Sequence, residues 1–373
     1  MKIKQKTTAM TFKKITSLIL LGLLGMLPVF SQEYSKRIVK TYKISNSSTV
    51  DIFNKYGKIH VVTWDKDSVS FEVDLKIRAT SDSKLSKMKN NIDFDFTGTE
   101  YYVTAKTKFG SGSSGVFSDL KDMAGTFISS GNQVTIDYMV RIPVYLNLKM
   151  ENKFGDVYID DYNGNINLSL SNGGLKANNL NGNTVINLSS GDGVINYIKD
   201  GNMTISYSDF QIKDANTLFL DSRSSKINID RVHFLKLQSR HDKFYLPDIN
   251  EFYGESYFSD FTVHSFYNEL NFNFRYGSLS IENVDKAFSF INITSENTDL
   301  DLVFERGSAY EIDVTHLEDA TLNYPRQLGN LDTKVINEQD KLMLTYGKLG
   351  YGSTKSKVKI NAPKKCTINI IQK

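Results

Sequence analysis

The stretch that decides the fold runs from Tyr207 to Leu246 and reads YSDFQIKDANTLFLDSRSSKINIDRVHFLKLQSRHDKFYL. In it a polar turn is followed by an apolar–x–apolar pair, which begins at Phe210, at Ile227 and again at Phe244. The pattern continues in both directions, and the first members of the nine pairs are Val157, Leu175, Val194, Phe210, Ile227, Phe244, Phe261, Leu279 and Leu300. A period of about 17–19 residues predicts stacked coils, because one such coil cannot bury its own apolar side.

Each predicted coil contains two short strands. A second set of apolar pairs lies about half a period from the first, as at Ile186/Leu188, Leu218/Leu220 and Leu235/Leu237. Successive residues of a strand point to opposite faces, so these positions are expected to face inward and to stack from coil to coil. The predicted fold is therefore all-β, with a parallel β-solenoid of flattened, two-sided coils over residues 146–305.

The regions before and after the solenoid are predicted to have different structures. Residues 32–145 form an irregular β region with one helix from Ser81 to Asn91 and a Gly/Ser-rich surface insertion at residues 110–131. Its predicted strands are Thr49–Phe53, Lys58–Thr63, Val69–Ile77, Ile92–Phe96, Tyr101–Lys106 and Val134–Ile142. Residues 306–373 lose the period but still alternate, at Val335–Leu344 and Val358–Ile370, and are predicted to cap the stack.

Residues 1–31 have the pattern of a secretory signal peptide. Five lysines precede an apolar run from Ile15 to Val29, and Ser31 offers a small residue for cleavage. An uncleaved membrane anchor is the alternative, but the run is short for a span of about 20 residues. We therefore expect an exported protein without a membrane span after cleavage.

The charge balance argues against nucleic acid as a partner. The chain has 45 basic and 42 acidic residues, and five of the basic ones lie in residues 1–31, so the rest carries 40 against 42, a net charge near −2. The basic surface expected of a nucleic-acid-binding protein is not indicated. Cys366 is the one cysteine, and its alternating context predicts a buried strand residue with no disulfide.

Four stretches together resemble a bacterial family of exported β-solenoid proteins described as candidate adhesins. They are VTIDYMVRIP (134–143), LKMENKFGDVYI (148–159), SSGDGV (189–194) and the closing strands from Gly347 to Ile360. The likeness covers the chain from about Ser45 onward, and its motifs are structural. Later coils depart from the family's glycine-aspartate turn, with Ser208-Asp209, Ser225-Lys226, Asp242-Lys243 and Ser259-Asp260. The resemblance implies an exported solenoid and supplies no catalytic residue.

A search for chemistry in the sequence finds no catalytic or metal-binding pattern. The five histidines, His60, His233, His241, His264 and His316, have no metal-ligand spacing, and His233 and His241 are expected to be solvated turn residues. Glycine-aspartate turns do not recur at the period that a calcium-binding β-roll needs. No clustered base resembling that of a uronate lyase occurs in the outward positions, which we read as Tyr158, Lys176, Ile195, Gln211, Asn228, Tyr245, Thr262, Ser280 and Asp301. We expect no metal, no cofactor and no enzymatic activity.

One turn edge is the candidate binding surface. The position four residues before each apolar pair reads Lys153, Ser171, Ser190, Ser206, Arg223, Arg240, Tyr257, Arg275 and Glu296, and the next reads Phe154, Asn172, Gly191, Tyr207, Ser224, His241, Phe258, Tyr276 and Asn297. Stacked coils would bring Arg223, Arg240, Tyr257 and Arg275 side by side, with Tyr207 and Tyr276 nearby. Arginine pairs with carboxylates and aromatic faces pack on sugars. A polar rim with only a structural role is the alternative.

These observations predict an exported, non-enzymatic, adhesin-like binding or scaffolding protein of the bacterial cell envelope. Its expected partner is a cell-surface glycan or an envelope protein, and it is expected in the periplasm or on the cell surface. The alternative is a carbohydrate-active or acidic-polysaccharide-binding protein that uses the Arg/Tyr edge.

Overall fold

The computed structural model describes residues 32–110 and 131–373. The predicted signal peptide and residues 111–130 of the predicted insertion lie outside the described residues. The described parts are all-β apart from one α-helix and a single 3-10 turn.

The N-terminal part contains seven strands and the helix. They are β1 (Gln32–Lys43), β2 (Thr49–Lys55), β3 (Ile59–Thr63), β4 (Ser68–Ala79), α1 (Asp82–Asn90), β5 (Ile92–Gly98), β6 (Tyr102–Phe109) and β7 (Gln133–Ile142). The helix and the six strands predicted for this region are confirmed within a few residues. The first strand, β1, was not predicted, because its segment was interpreted as irregular.

The central and C-terminal parts contain fifteen more strands. The central ones are β8 (Asn147–Lys153), β9 (Val157–Ile159), β10 (Ile166–Ser171), β11 (Leu175–Ser189), β12 (Asp192–Ser206), β13 (Asp209–Arg223), β14 (Lys226–Arg240), β15 (Lys243–Val284) and β16 (Phe290–Phe304). The last six are β17 (Tyr310–Leu317), β18 (Thr321–Asn323), β19 (Leu331–Asn337), β20 (Leu342–Leu349), β21 (Lys357–Ala362) and β22 (Thr367–Gln372), with the 3-10 turn at Arg326–Leu328.

The described residues divide into two compact units. The smaller contains residues 32–36, 75–92, 109–110 and 131–134. Its helix α1 begins because the Ser81 side chain caps it, with Ser81 Oγ accepting a hydrogen bond from the Lys84 N–H at 3.3 Å. Asp82 lies in the first turn, where the helix dipole favours a negative charge, and Met88 is fully buried. The larger unit contains residues 37–74, 93–108 and 135–373.

From β10 to β16, each strand pairs in parallel with the next at a nearly constant offset. Ser171 of β10 pairs with Ser189 of β11, an offset of 18 positions. Asp214 of β13 pairs with Arg231 of β14 at an offset of 17 positions. Between β15 and β16 the offset rises to 21 positions. The result is a large, mostly parallel sheet in which the backbone groups of one repeat bond to those of the next.

The core of this sheet consists of inward columns that continue from strand to strand. Ile212 of β13 pairs with Ile229 of β14, and the two are 1% and 0% exposed. Further along, the core becomes aromatic: the rings of Phe244 and Phe261 stack at 4.9 Å with 7° between their planes. Like residues at like positions pack well because register keeps their side chains opposite each other.

One of the nine apolar pairs predicted from the sequence was wrong by one residue. Gly193, not Val194, pairs with Phe210, and Ile195, predicted to face outward, pairs with Ile212 and is fully buried. A Cβ on Gly193 would lie 2.1 Å from the Phe210 ring, so glycine occupies this inward position to make room for that ring. Because an apolar inward residue is missing there, the pattern in the sequence slips to Val194.

The period ends after β16. Strands β17, β20 and β19 pair antiparallel in that order, and β21 and β22 pair in parallel with β16. The stretch predicted as continuous from Val335 to Leu344 is divided between β19 and β20. The turn between β19 and β20 closes because the Asn337 side chain accepts a hydrogen bond from the Asp340 N–H at 3.0 Å. In the same turn, Lys341 has a φ of 52°. Cys366 is buried, as predicted, one residue before β22.

The inward register predicts the effect of a charge in the core. Ile229→Asp is expected to abolish cooperative unfolding or to lower the melting temperature strongly, because an unpaired carboxylate in an apolar column costs several kcal/mol, out of a total stability of about 5–15 kcal/mol. Thermal unfolding followed by circular dichroism measures it. The control is Lys243→Asp, at an exposed position that pairs with Lys226, and it should melt like the wild type. An unchanged melting temperature in Ile229→Asp would contradict the register.

Candidate functional site

A column of left-handed residues marks one corner of successive repeats. Its ten members have φ between 51° and 65° and are Tyr56, Phe154, Asn172, Ser190, Tyr207, Ser224, His241, Phe258, Tyr276 and Asn297. We call this set the left-handed column. Apart from glycine, residues rarely adopt this conformation, and bulky ones least of all. Its recurrence in each repeat therefore reflects a constraint of the corner.

Backbone hydrogen bonds explain the constraint. The N–H of Tyr207 donates to the carbonyl of Arg223 at 3.0 Å, and the N–H of His241 donates to the carbonyl of Tyr257 at 2.9 Å. A left-handed residue turns the chain sharply while its N–H still reaches the next repeat, so parallel pairing continues around the corner. In the repeat before Tyr207, Ser190 takes this position. The alignment of the predicted coils with one another put Gly191 there and was wrong by one residue.

Three members of the left-handed column form a stack of parallel rings. The rings of His241 and Phe258 lie 5.0 Å apart with 6° between their planes, and those of Phe258 and Tyr276 lie 4.7 Å apart, again at 6°. We call these three residues the aromatic ladder. Phe258 and Tyr276 are 51% and 44% exposed, so the ladder presents apolar ring surface to solvent at a rigid backbone.

Tyr207 lies in the same column but outside this stack. It is 57% exposed, and Ser224 separates it from His241 in the column. At the other end of the column, the rings of Tyr56 and Phe154 stack at 5.6 Å with an angle of 13°. Aromatic pairs therefore occur at two places along the column.

The predicted arginine positions lie immediately before the left-handed column. Arg223 pairs in register with Arg240, and Arg240 pairs with Tyr257. The guanidinium of Arg275 lies 5.1 Å from the centre of the Tyr257 ring and donates to its hydroxyl. The structure therefore brings together the four residues Arg223, Arg240, Tyr257 and Arg275 along one edge.

The three arginines of this edge differ in their partners. Arg275 is held by Tyr257 and by Glu296, whose carboxylate lies 3.6 Å from Arg275 Nε. The hydrogen bond to Tyr257 raises the pKa of Arg275 above its ordinary value. In the part of the chain that the structure describes, neither Arg223 nor Arg240 forms an ion pair, and both side chains are exposed. Their charges are available to an anionic group.

A strip of small and polar residues, buried or half-buried, lies directly behind the column. It consists of Gly57, Gly155, Gly173, Gly191, Ser208, Ser225, Asp242, Ser259, Gly277 and Thr298. A Cβ on Gly155 would lie 2.0 Å from the carbonyl oxygen of Gly57, so the glycine turns allow backbones to stack closely. Where serine replaces glycine, its hydroxyl bonds the preceding repeat, as when Ser259 Oγ accepts from the Asp242 N–H at 3.1 Å.

Asp242 is the one acidic residue of that strip, and it is 2% exposed. Its Oδ1 accepts from the Ser225 N–H at 2.7 Å. Its Oδ2 accepts from the hydroxyls of Ser222 and Ser239 at 2.6 and 2.7 Å and from the Arg240 N–H at 2.9 Å. Four donors thus converge on one carboxylate, which makes it a structural anchor of the corner beneath the aromatic ladder.

Other polar groups with chemical potential have structural partners. Among residues 32–110 and 131–373, no three His, Cys, Asp or Glu side chains gather as a metal site requires. His316 is buried between the Leu317 carbonyl at 2.7 Å and the Thr345 hydroxyl at 2.9 Å. Burial raises the pKa of Cys366, which disfavours its reactive thiolate. No helix in the described part of the chain has the length and apolar character of a membrane span.

Sequence reasoning selected Tyr207 and Tyr276 but passed over His241 and Phe258. Aromatic rings at His241, Phe258 and Tyr276 recur once in each predicted coil, and that recurrence was a usable signal. It was not used because His241 was interpreted as a solvated turn residue. The structure agrees that His241 is exposed but adds that its ring stacks on Phe258.

Comparisons with known proteins give distant structural likenesses. No protein-family model and no curated protein matches the chain. A candidate cell adhesion protein from Clostridium sporogenes is 12% identical with a TM-score of 0.20, over 91% of this chain and 100% of that chain. A candidate adhesin from Parabacteroides merdae is 9% identical with a TM-score of 0.24, over 72% and 92%. A candidate lipid-binding protein from Parabacteroides distasonis is 10% identical with a TM-score of 0.28, over 90% and 97%. The resemblance to candidate adhesins drawn from the sequence agrees with two of these descriptions.

The anchoring role of Asp242 can be measured. Asp242→Ala should lower the free energy of unfolding by about 3 kcal/mol or more, because buried donors lose their acceptor at roughly 1–3 kcal/mol per group. Asp242→Ser should lose less than half as much, since serine occupies the same position at 208, 225 and 259. Urea unfolding gives both values. Equal losses in the two variants would contradict an anchor based on hydrogen bonds.

Proposed function

We propose that this chain is an exported, non-enzymatic, adhesin-like protein of the bacterial cell envelope that binds or scaffolds through the exposed edge of a β-solenoid. The observation that carries the proposal is the aromatic ladder, three stacked rings that remain exposed on a rigid corner.

The parallel offsets support the solenoid. Paired residues of neighbouring repeats lie 17 or 18 positions apart in the central strands, and one corner residue per repeat is left-handed. This arrangement corresponds to one coil per offset. The coil would therefore be 17 or 18 positions long in most of the stack and 21 at β16.

The ladder keeps apolar surface exposed after its rings have stacked. The faces between the rings cover one another, while the ring edges and the outer faces of the stack remain in water, from which a ligand with an apolar surface would remove them. Rings on a fixed backbone lose little freedom when they bind, which lowers the entropic cost of association. Repetition at about 4.8 Å along the stack fits an extended partner such as a glycan chain or a strand of an envelope protein.

The start of the sequence supports export. Lysines followed by the apolar run from Ile15 to Val29 are typical of a signal peptide, and an exported repeat protein would meet its partner in the envelope. The adhesin descriptions of similar solved structures are in keeping with this role and are not its basis.

The binding role predicts a loss without unfolding. The double variant Phe258→Ala, Tyr276→Ala should bind intact bacterial cells and isolated envelope fractions about tenfold more weakly than the wild type, as expected when exposed aromatic contacts are removed. Fluorescently labelled protein measures it.

The matched control is Tyr101→Ala, which removes a ring that is 65% exposed and lies outside the ladder. It should bind like the wild type. Unchanged binding of the double variant would contradict the ladder as the binding surface. Release of a soluble product from envelope glycans by the wild type would contradict a non-enzymatic role.

A second candidate is binding of an acidic polysaccharide at the arginine edge. Arg223 and Arg240 favour it because they are neighbours in register and have exposed guanidinium groups without an ion pair among the described residues. Asp221 and Glu255 lie two positions from Arg223 and Tyr257 on the same strands, so the edge is not uniformly basic.

The arginine edge predicts a salt-dependent interaction. Replacing Arg223, Arg240 and Arg275 with alanine should remove binding to alginate or polygalacturonate at low salt, because guanidinium–carboxylate pairs supply it. Biolayer interferometry on immobilised polysaccharide measures it. A triple alanine variant of the exposed Lys176, Lys199 and Lys213 has the same net charge and should retain binding. Equal loss in both triple variants would show a non-specific charge effect and contradict the edge.

A further inference from the structure

A concave pocket lies away from the left-handed column. Four of its lining residues each follow a member of the left-handed column by the same number of positions. They are Tyr197, Asp214, Arg231 and Asp248. These four residues occupy successive register positions in β12, β13, β14 and β15. The cavity has a volume of about 550 Å³, which is within the range of small-molecule sites.

Packed core residues lie beneath the pocket. Ala215, Val232 and Ile249 follow the charged residues by one position and border the cavity, but they are at most 1% exposed, so their side chains belong to the core. Because these inward residues are packed in the sheet core, the charged residues before them are held on a fixed backbone. The walls add Tyr267 and His233.

The charged groups of the pocket are held by neighbouring side chains. Arg231 donates to Oδ2 of Asp214 through Nε at 2.9 Å and through Nη2. Tyr267 donates its hydroxyl to Oδ1 of Asp248 at 2.9 Å. Such mutual bonds fix the side chains before a ligand arrives, which reduces the entropic cost of binding.

Each pair leaves hydrogen-bonding capacity for a ligand. Among the described residues, no hydrogen bond reaches Oδ1 of Asp214, Oδ2 of Asp248 or Nη1 of Arg231. The pocket therefore offers two carboxylate acceptors and a guanidinium donor, one register step apart, or about 4.8 Å.

That combination selects by charge. Two carboxylates and one guanidinium leave a net negative charge, which disfavours uronates and phosphates. Neutral sugars have neighbouring hydroxyls that both donate to carboxylates and accept from arginine. The rings of Tyr197 and Tyr267 at the pocket's lining supply aromatic surface for the apolar face of a sugar ring.

We propose that this pocket, formed by Tyr197, Asp214, Arg231, Asp248 and Tyr267, binds a neutral oligosaccharide. It spans three register steps from Tyr197 to Asp248, about 14 Å, and is therefore long enough for more than one sugar ring. The site differs in position and in ligand charge from the arginine edge, and it does not depend on the aromatic ladder.

The test is isothermal titration calorimetry of the full mature protein with cellotetraose, xylotetraose, mannotetraose, maltotetraose, chitotetraose and, as the acidic probe, tetragalacturonate. The wild type should bind at least one neutral tetrasaccharide more tightly than tetragalacturonate. Asp248→Asn and Tyr197→Ala should each weaken that binding about tenfold, as expected for the loss of a charged hydrogen bond or of a ring contact. Asp221→Asn, an exposed carboxylate outside the pocket, should bind like the wild type.

The outcomes separate this proposal from the proposed function. No binding to any neutral tetrasaccharide, tighter binding of tetragalacturonate, or wild-type affinity in both pocket variants with unchanged melting temperatures would overturn it. Loss of neutral-sugar binding in the Phe258→Ala, Tyr276→Ala variant alone would overturn the pocket and assign the sugar to the ladder. Loss in the pocket variants alone, with envelope binding intact, would support a second and independent site.

Discussion

The structure of the larger unit depends on parallel backbone pairing between repeats that continues around a corner of each repeat. A strand that must continue into the next repeat has to turn without leaving its N–H groups unpaired, and the left-handed residue achieves this in one step. A non-glycine residue in that conformation costs about 1–2 kcal/mol. Aromatic pairs contribute about 0.5–1.5 kcal/mol each. The two stacks formed by His241, Phe258 and Tyr276 therefore offset part of the strain that their backbone imposes.

The same corner explains the small and polar residues behind it. Glycine at 155, 173 and 191 lets one backbone rest on the next, whereas the serines at 208, 225 and 259 accept hydrogen bonds from backbone N–H groups of the preceding repeat. Asp242 is the strongest form of that solution, because one carboxylate accepts four hydrogen bonds. The glycine-aspartate turns of the sequence and their later replacements are thus different ways of satisfying one corner.

Inward and outward positions are under different physical constraints. Inward columns must be apolar, and the sizes of neighbouring residues must be complementary from repeat to repeat, as the Phe210 ring over Gly193 illustrates. Outward positions only need to be compatible with water, so they can vary in charge and shape. The arginine edge and the Asp214–Arg231–Asp248 pocket differ in charge for this reason, although similar backbone geometry presents both.

Much of the fold could be predicted from the sequence because periodicity records burial. The helix at Asp82–Asn90, most strands of the N-terminal part and most inward positions follow from alternation and capping. The sequence also predicted that Arg223, Arg240, Tyr257 and Arg275 lie along one edge, since a constant period brings equivalent residues together. Errors arose where that period changes by one residue, at Ser190 and Gly193, because the count alone cannot show which residue is skipped.

What the sequence by itself determined is the repeat, its apolar columns and the edge where its turns lie. Only the tertiary structure decided which turn residues are left-handed, that the His241 ring stacks on Phe258, and that Asp214, Arg231 and Asp248 form one pocket. The physical reason is that alternation records which side chains are hidden from water, whereas a corner is set by backbone hydrogen bonds between neighbouring repeats. Side chains that meet across such bonds become neighbours only when the register of the whole sheet is known.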